Sequence, residues 1–164
     1  MLQLSREDQR CVDAAQGWCE LHAFAEADAE LDNIPASLRS HPKVLEVRWQ
    51  IHANLEKWAG ALDIACAIVE MEPDWPSGWI YRASSLTELN RHQEAYEALS
   101  EAATRFPPDE IILYDLACVC CKLKRFDEAL EWLAKAIEVG GHKIKLRALD
   151  DPDLEPIWKG TGQP

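Results

Sequence analysis

Residues 76–107 read PSGWIYRASSLTELNRHQEAYEALSEAATRFP. Two short amphipathic helices are written into this stretch, with Asn90 and Arg91 at the bend between them. Alone, such a hairpin has nothing to cover its apolar face. The rest of the chain supplies a cover by repeating it. Ala27, Ala61, Ala95 and Ala129 form one column, each 34 residues after the last. Leu21, Leu55, Leu89 and Leu123 form a second at the same interval. Phe24, Trp58, His92 and Phe126 form a third, and Ala15, Trp49, Ala83 and Ala117 a fourth. No insertion or deletion interrupts the period, so the chain reads as an array of like units.

The units fall at about 8–41, 42–75, 76–109 and 110–143, and each reads as a helix hairpin. In the last, Leu113, Leu116, Ala117 and Cys120 follow the i, i+3, i+4, i+7 spacing of one helical face. Leu123 closes that helix, Lys124 and Arg125 make the turn, and Phe126, Ala129, Leu130, Leu133, Ala136 and Ile137 give a second stripe. The small Ala column lets paired helices approach closely, while the aromatic three residues earlier fills the bend. Pro73 and Pro107 follow second helices that they cannot continue, and Gly140–Gly141 do the same in the last unit.

The first unit is the least regular. Its second helix is expected from about Ala25 to the stretch 32–35, with a loop over 36–42. After Lys143, residues 144–149 open a short helix and Asp151-Pro152 marks a turn. Asp153 is the expected cap of a further short helix carrying Leu154, Ile157 and Trp158. Residues 144–159 are thus expected to cap the apolar edge of the last unit, and 160–164 to form a disordered tail. The whole chain, 1–164, is expected to be a single domain.

Composition narrows the function. Apolar residues make up 48% of the 164, enough for a real core, and the net charge is −12. That balance argues against nucleic acid, whose phosphates are neutralised by Lys and Arg, and against anionic membrane surfaces. The first ten residues carry charges and no apolar segment, so a signal peptide is not expected. No apolar run approaches the roughly 20 residues of a membrane span. A cytoplasmic location is expected, with Cys11, Cys19, Cys66, Cys118, Cys120 and Cys121 as reduced, mostly buried small side chains.

The residues resemble the tetratricopeptide repeat family, whose period is also 34. Trp79, Ala83, Leu86, Ala95, Leu99, Ala102 and Pro107 stand where that pattern has its small, large and terminating residues. Leu113, Leu116, Ala117, Phe126, Ala129 and Ala136 repeat it, with Gly for the final Pro. The second unit matches through Trp58, Ala61 and Pro73 but has Arg48 and Trp49 at two usual positions. The first matches through Ala14, Ala15, Phe24 and Ala27 and lacks the Pro. The resemblance spans about 8–143, and the ending LDDPDLEPIW looks like the tail of many bacterial arrays of this family. It implies an all-α fold, an α-solenoid of antiparallel helix hairpins wound as a right-handed superhelix, with first helices lining a concave groove. It specifies fold far better than function.

That groove would hold a protein or peptide partner. The implied lining is Gln9, Val12, Asp13, Gln16 and Glu20, then Lys43, Glu46, Gln50 and Asn54, then Ser77, Ile80, Tyr81, Ser84, Thr87 and Glu88, and finally Ile111, Tyr114, Asp115, Cys118, Cys121 and Lys122. Ile80, Tyr81, Ile111 and Tyr114 lie opposite the core stripes. They form either an exposed contact patch or the packing between neighbouring first helices. The acids outnumber Lys43 and Lys122, which fits either a peptide with basic and apolar residues or a solvated charged face. The clamp by which some family members hold acidic chaperone tails is not expected here, because Glu46, Gln50, Tyr81, Ile111 and Asp115 occupy its positions.

No metal or cofactor site is expected: Cys118 and Cys121 share a helix face, but no second pair completes a tetrahedral site. No enzyme is expected either, for lack of a phosphate loop, an HExxH or a nucleophile elbow. The seven tryptophans are expected to be mainly core wedges, Trp75 in its turn being the exception. The expected function is therefore an interaction scaffold. The alternatives are a chaperone resembling those of type III secretion, and a structural protein that self-associates into a homo-oligomer through Trp-rich edges.

Overall fold

The structure, a computed structural model, describes residues 3–160. The expected tail residues 161–164 lie outside them, while Gly160 ends the last helix. Among the described residues the helices are α1 (Arg6–Glu20), α2 (Phe24–Asp32), α3 (Pro42–Asn54), α4 (Trp58–Met71), α5 (Pro76–Glu88), α6 (His92–Arg105), α7 (Glu110–Lys122), α8 (Phe126–Asp150) and α9 (Glu155–Gly160). There is no strand among them. The chain divides into two compact units, one ending at Tyr81 and one beginning at Arg82.

The turns inside the hairpins obey the same period as the core. His22, Glu56, Asn90 and Lys124 all have positive φ, of 57°, 55°, 59° and 60°. At each, the next residue's N–H reaches back to a helical carbonyl: Ala23 to Trp18 at 2.9 Å, Lys57 to His52 at 2.9 Å, Arg91 to Leu86 at 2.8 Å and Arg125 to Cys120 at 2.8 Å. This is the Schellman closure, which satisfies carbonyls left over at a helix end. It places Leu21, Leu55 and Leu123 at the caps. Of the four positive-φ residues, Glu56 and Lys124 are of types that seldom adopt this conformation.

In the first unit, α1 pairs with α2 and α3 with α4, and α1 also packs on α3. Helix α1 opens on a capping box: Ser5 Oγ accepts from the Asp8 N–H at 3.1 Å, and Asp8 Oδ2 from the Ser5 N–H at 2.9 Å. Val12, Ala15, Ala27, Leu31, Ile34, Val44, Val47 and Ile51 form the core. Val12 therefore faces the core and not the expected groove. It stands one turn before Ala15, on the same side of α1. The stretch 36–42 is more ordered than a loop. It holds a 3-10 turn over Ala36–Leu38, and Pro42 is the first residue of α3. Arg39 closes it by donating to the carbonyls of Ile34 at 3.0 Å and Asp32 at 2.6 Å.

In the second unit, α7 lies between α6 and α8 and is buried along most of its surface, from Ile112 to Cys121 with Asp115 the exception. Ala95 and Ala129 are fully buried, as the close-approach column requires. Helix α8 is two helices broken at Gly141, whose φ of 65° excludes a side chain without strain. At Gly140 a Cβ would stand 2.3 Å from Ile144 Cγ1 and 2.9 Å from Glu110 Cβ, so the start of α7 sits against bare backbone. Beyond the break, Ile144, Ala148, Leu154 and Ile157 join Tyr114, Cys118, Cys121 and Leu133 in one cluster. The cap of the turn before α9 is Asp151, not Asp153; Asp151 accepts from the Asp153 N–H at 2.9 Å.

The tryptophans are mostly boundary residues. Only Trp79 is buried, its indole N–H donating to the Pro73 carbonyl at 3.0 Å, whereas Trp18 is 37% exposed. Trp49, Trp58, Trp75, Trp132 and Trp158 are half-buried.

Candidate functional site

The residues expected to line a groove gather at several places, two in the first unit. A cavity of about 380 Å³ is lined by Gln16, Cys19 and Glu20 of α1 with Gln50 and Asn54 of α3. Asn54 donates to the Gln50 carbonyl at 2.8 Å, so its amide is held against the helix. The second place is built on Tyr81. Its ring stacks on Trp49 with centroids 4.2 Å apart and meets Trp75 edge-on at 6.1 Å. Its hydroxyl donates to Glu46 Oε1 at 2.8 Å. Burial, then this hydrogen bond, holds the phenol well above the ordinary range, so it is a donor at all physiological pH. Glu46 also lines a cavity of about 440 Å³ with His41, Lys43, Glu72, Asp74 and Trp75. Ser77 and Ile80 are half-buried on the same helix as Tyr81.

In the second unit, Ser84, Thr87 and Glu88 of α5 and Asp115 and Cys118 of α7 line one cavity of about 190 Å³. Arg147, Asp151 and Asp153, from beyond the break in α8, complete its wall. The carboxyl of Asp115 has a pKa raised to about 7, chiefly by burial, with Asp109 and Asp151 adding to the effect and Arg147 opposing it. The guanidinium of Arg147 also lies over the Tyr114 ring, 4.1 Å from the centroid.

Three expectations for this region are corrected. Tyr114 is fully buried and lines no groove; its hydroxyl donates to Asp151 Oδ2 at 2.6 Å beneath the C-terminal segment. Cys121 is buried in the same cluster, and Cys118 shows only its edge to the cavity. Lys122 is no free counter-charge, since it pairs with Asp153 at 2.6 Å. Ile111 is 41% exposed. The sequence signal for Tyr114 and Cys121 was present: α7 is apolar on nearly every side, which marks a helix buried all round.

Sequence reasoning treated 144–159 only as a lid and so missed Arg147, Asp151 and Asp153 as wall residues. The signal was the period itself, which sets residues 144–150 in the place of another first helix.

Cys118 Sγ and carboxylate oxygens of Asp151 and Asp153 lie within 4.8 Å of one another, a donor set worth testing against a metal. It does not fit one. Asp151 already accepts from Tyr114 and from the Asp153 N–H, and Asp153 from Lys122. Burial and the three neighbouring aspartates push the Cys118 thiol far up, away from the thiolate that would ligate. On the second-helix side of this unit, a larger and more apolar cavity of about 520 Å³ lies between α6 and α8, walled by Tyr96, Leu113, Trp132 and Val139.

The family pattern decides what kind of scaffold carries these sites. Residues 86–149 match the family model described as tetratricopeptide repeat. Those residues belong to the tetratricopeptide repeat family. The fold of the chain agrees with solved structures across nearly its whole length. It matches MamA from Desulfovibrio magneticus RS-1 with a TM-score of 0.72 at 13% identity, covering 96% of this chain and 92% of that one. It matches TTC0263, a thermophilic tetratricopeptide repeat protein of Thermus thermophilus, with a TM-score of 0.74 at 16% identity, covering 94% and 83%. It also matches a chain of the Cut9–Hcn1 hetero-tetramer of APC/C with a TM-score of 0.74 at 13% identity, covering 95% of this chain and 30% of that one. At these identities the likeness is one of fold. No curated protein matches the chain in sequence. No helix among the described residues is long and apolar enough to cross a membrane.

Proposed function

We propose that this protein is a cytoplasmic interaction scaffold, not an enzyme, and that it holds a peptide or protein partner on the faces of its first helices. The observation that carries the reading is the cavity of the second unit, where Ser84, Thr87, Glu88, Asp115 and Cys118 meet although two separate helices supply them. A concave patch with a few convergent polar groups is the usual form of a recognition site. The family's members generally mediate protein–protein contacts, and one structural relative, Cut9, is seen in complex with Hcn1.

The test is site-specific photo-crosslinking from position 87, with Glu97 on the exposed side of α6 as control. A partner captured from 87 alone is purified and its Kd measured. Filling the cavity with Thr87→Trp, or reversing its charge with Glu88→Lys, is expected to weaken binding at least about tenfold. Equal capture from both positions, or unchanged Kd in both folded variants, overturns the reading.

Self-association is the second reading. Leu146 and Leu149, on the outer side of the last limb of α8, are 51% and 57% exposed. Sedimentation across the micromolar range decides it: a strict monomer removes it.

A further inference from the structure

The cavity of the second unit contains a carboxylate that the chain leaves unsatisfied. Asp115 projects from α7 into the space lined by Ser84, Thr87, Glu88 and Cys118. Among the described residues it accepts no hydrogen bond and has no cation within ion-pair distance. Asp115 is half-buried at the cavity wall, and a partly desolvated carboxylate there gains from a partner of opposite charge. The groups facing it are Glu88 of α5, Asp109 at the start of α7, Cys118, and Asp151 and Asp153 of the C-terminal segment; the one cation among them is Arg147. Arg147 lies over the face of Tyr114 and forms no ion pair with Asp115, and Lys122 pairs with Asp153. Negative charge is thus in excess at the mouth. The space, about 190 Å³, suits a side-chain head rather than a length of backbone.

We propose that this cavity receives one basic side chain of the partner, whose ammonium or guanidinium pairs with Asp115 while the hydroxyls of Ser84 and Thr87 accept its remaining N–H groups. The proposal rests on the scaffold reading and names the partner's anchoring residue. It also accounts for Asp115 itself. A carboxyl held near neutrality in the free protein loses its proton when a cation arrives, so binding is coupled to proton release and strengthens as pH rises through about 7.

The test is an NMR titration of the full chain with the Nα-acetyl methylamides of arginine, lysine and citrulline, read at the Asp115 carboxyl carbon and the Ser84 and Thr87 amides. Saturable shifts are expected with arginine or lysine, whichever head fits, and not with the neutral citrulline. Asp115→Asn keeps size and shape and is expected to weaken binding at least about tenfold while its amide spectrum stays that of the folded protein. The absence of saturable shifts, equal shifts with citrulline, or undiminished binding by Asp115→Asn overturns the proposal. The scaffold reading is judged separately: a captured partner that is lost from Thr87→Trp but kept by Asp115→Asn leaves that reading standing and removes the basic anchor.

Discussion

The Tyr114 hydroxyl donates to the Asp151 carboxylate at 2.6 Å across 37 residues of sequence. With Lys122 and Asp153, also at 2.6 Å, it pins the segment after the Gly141 break onto α7. The two ties are unequal. A buried hydrogen bond to a charged group contributes about 1.5–3 kcal/mol, so Tyr114→Phe is expected to lower the stability of the second unit by that amount. Lys122→Met, which breaks a partly exposed ion pair, is expected to cost under about 1 kcal/mol. Urea denaturation ranks the two, and the reverse order would show that the segment is held by charge.

The recurring positive-φ residues offer a gain in stability. A residue with a Cβ in that conformation carries about 1–2 kcal/mol of strain, of which glycine is free at some cost in unfolded-state entropy. Glu56→Gly and Lys124→Gly are each expected to stabilise by about 0.5–1 kcal/mol, and Asn90→Ala to destabilise by a similar amount. Thermal melts of the three variants check this, and a loss of stability in the glycine variants would contradict the turn geometry.

Ala61, Ala95 and Ala129 are fully buried at the contact within each hairpin. Ala129→Leu is expected to cost about 1–3 kcal/mol by overpacking. Leu146→Ala, on an exposed face, is expected to stay within about 0.5 kcal/mol. A denaturation midpoint for Ala129→Leu equal to that of the parent would mean that α7 and α8 have room to part.

Asp115 sets the sign of one pH dependence. Its folded pKa of about 7 lies above the ordinary 3.8, so the folded state holds the proton more tightly than the unfolded chain. Stability from this group is fully present below about pH 4 and is lost as pH rises through about 7. Asp115→Asn is expected to abolish this fall and to be more stable than the parent above pH 7. Parallel pH–stability curves for the two proteins would contradict it.

The hairpins were legible because their signal is periodic. Columns such as Ala27, Ala61, Ala95 and Ala129 pick out the same contact in every unit, so one well-formed stretch decodes the others. The positive-φ turn was not legible, since Glu56 and Lys124 carry no local preference for it; hydrogen-bonding demand at the helix end imposes it. Part of the lining of the second unit's cavity was legible for the same periodic reason, as Ser84, Thr87, Glu88 and Asp115 fall on first-helix faces. What failed was the side of α7. Periodicity says which residues share a face, but not what covers it. Tyr114 reads as free until Ala148 and Asp151 are known to lie on it.

The bond from Tyr114 to Asp151 also orders events during synthesis. Every residue of the first unit has left the ribosome well before Asp151 is translated, so that unit can complete its core early. The second unit cannot. Until residues 144–157 emerge, Tyr114, Cys118 and Cys121 lack the part of their cover that Ile144, Ala148, Leu154 and Ile157 supply, and α7 waits with one apolar side open.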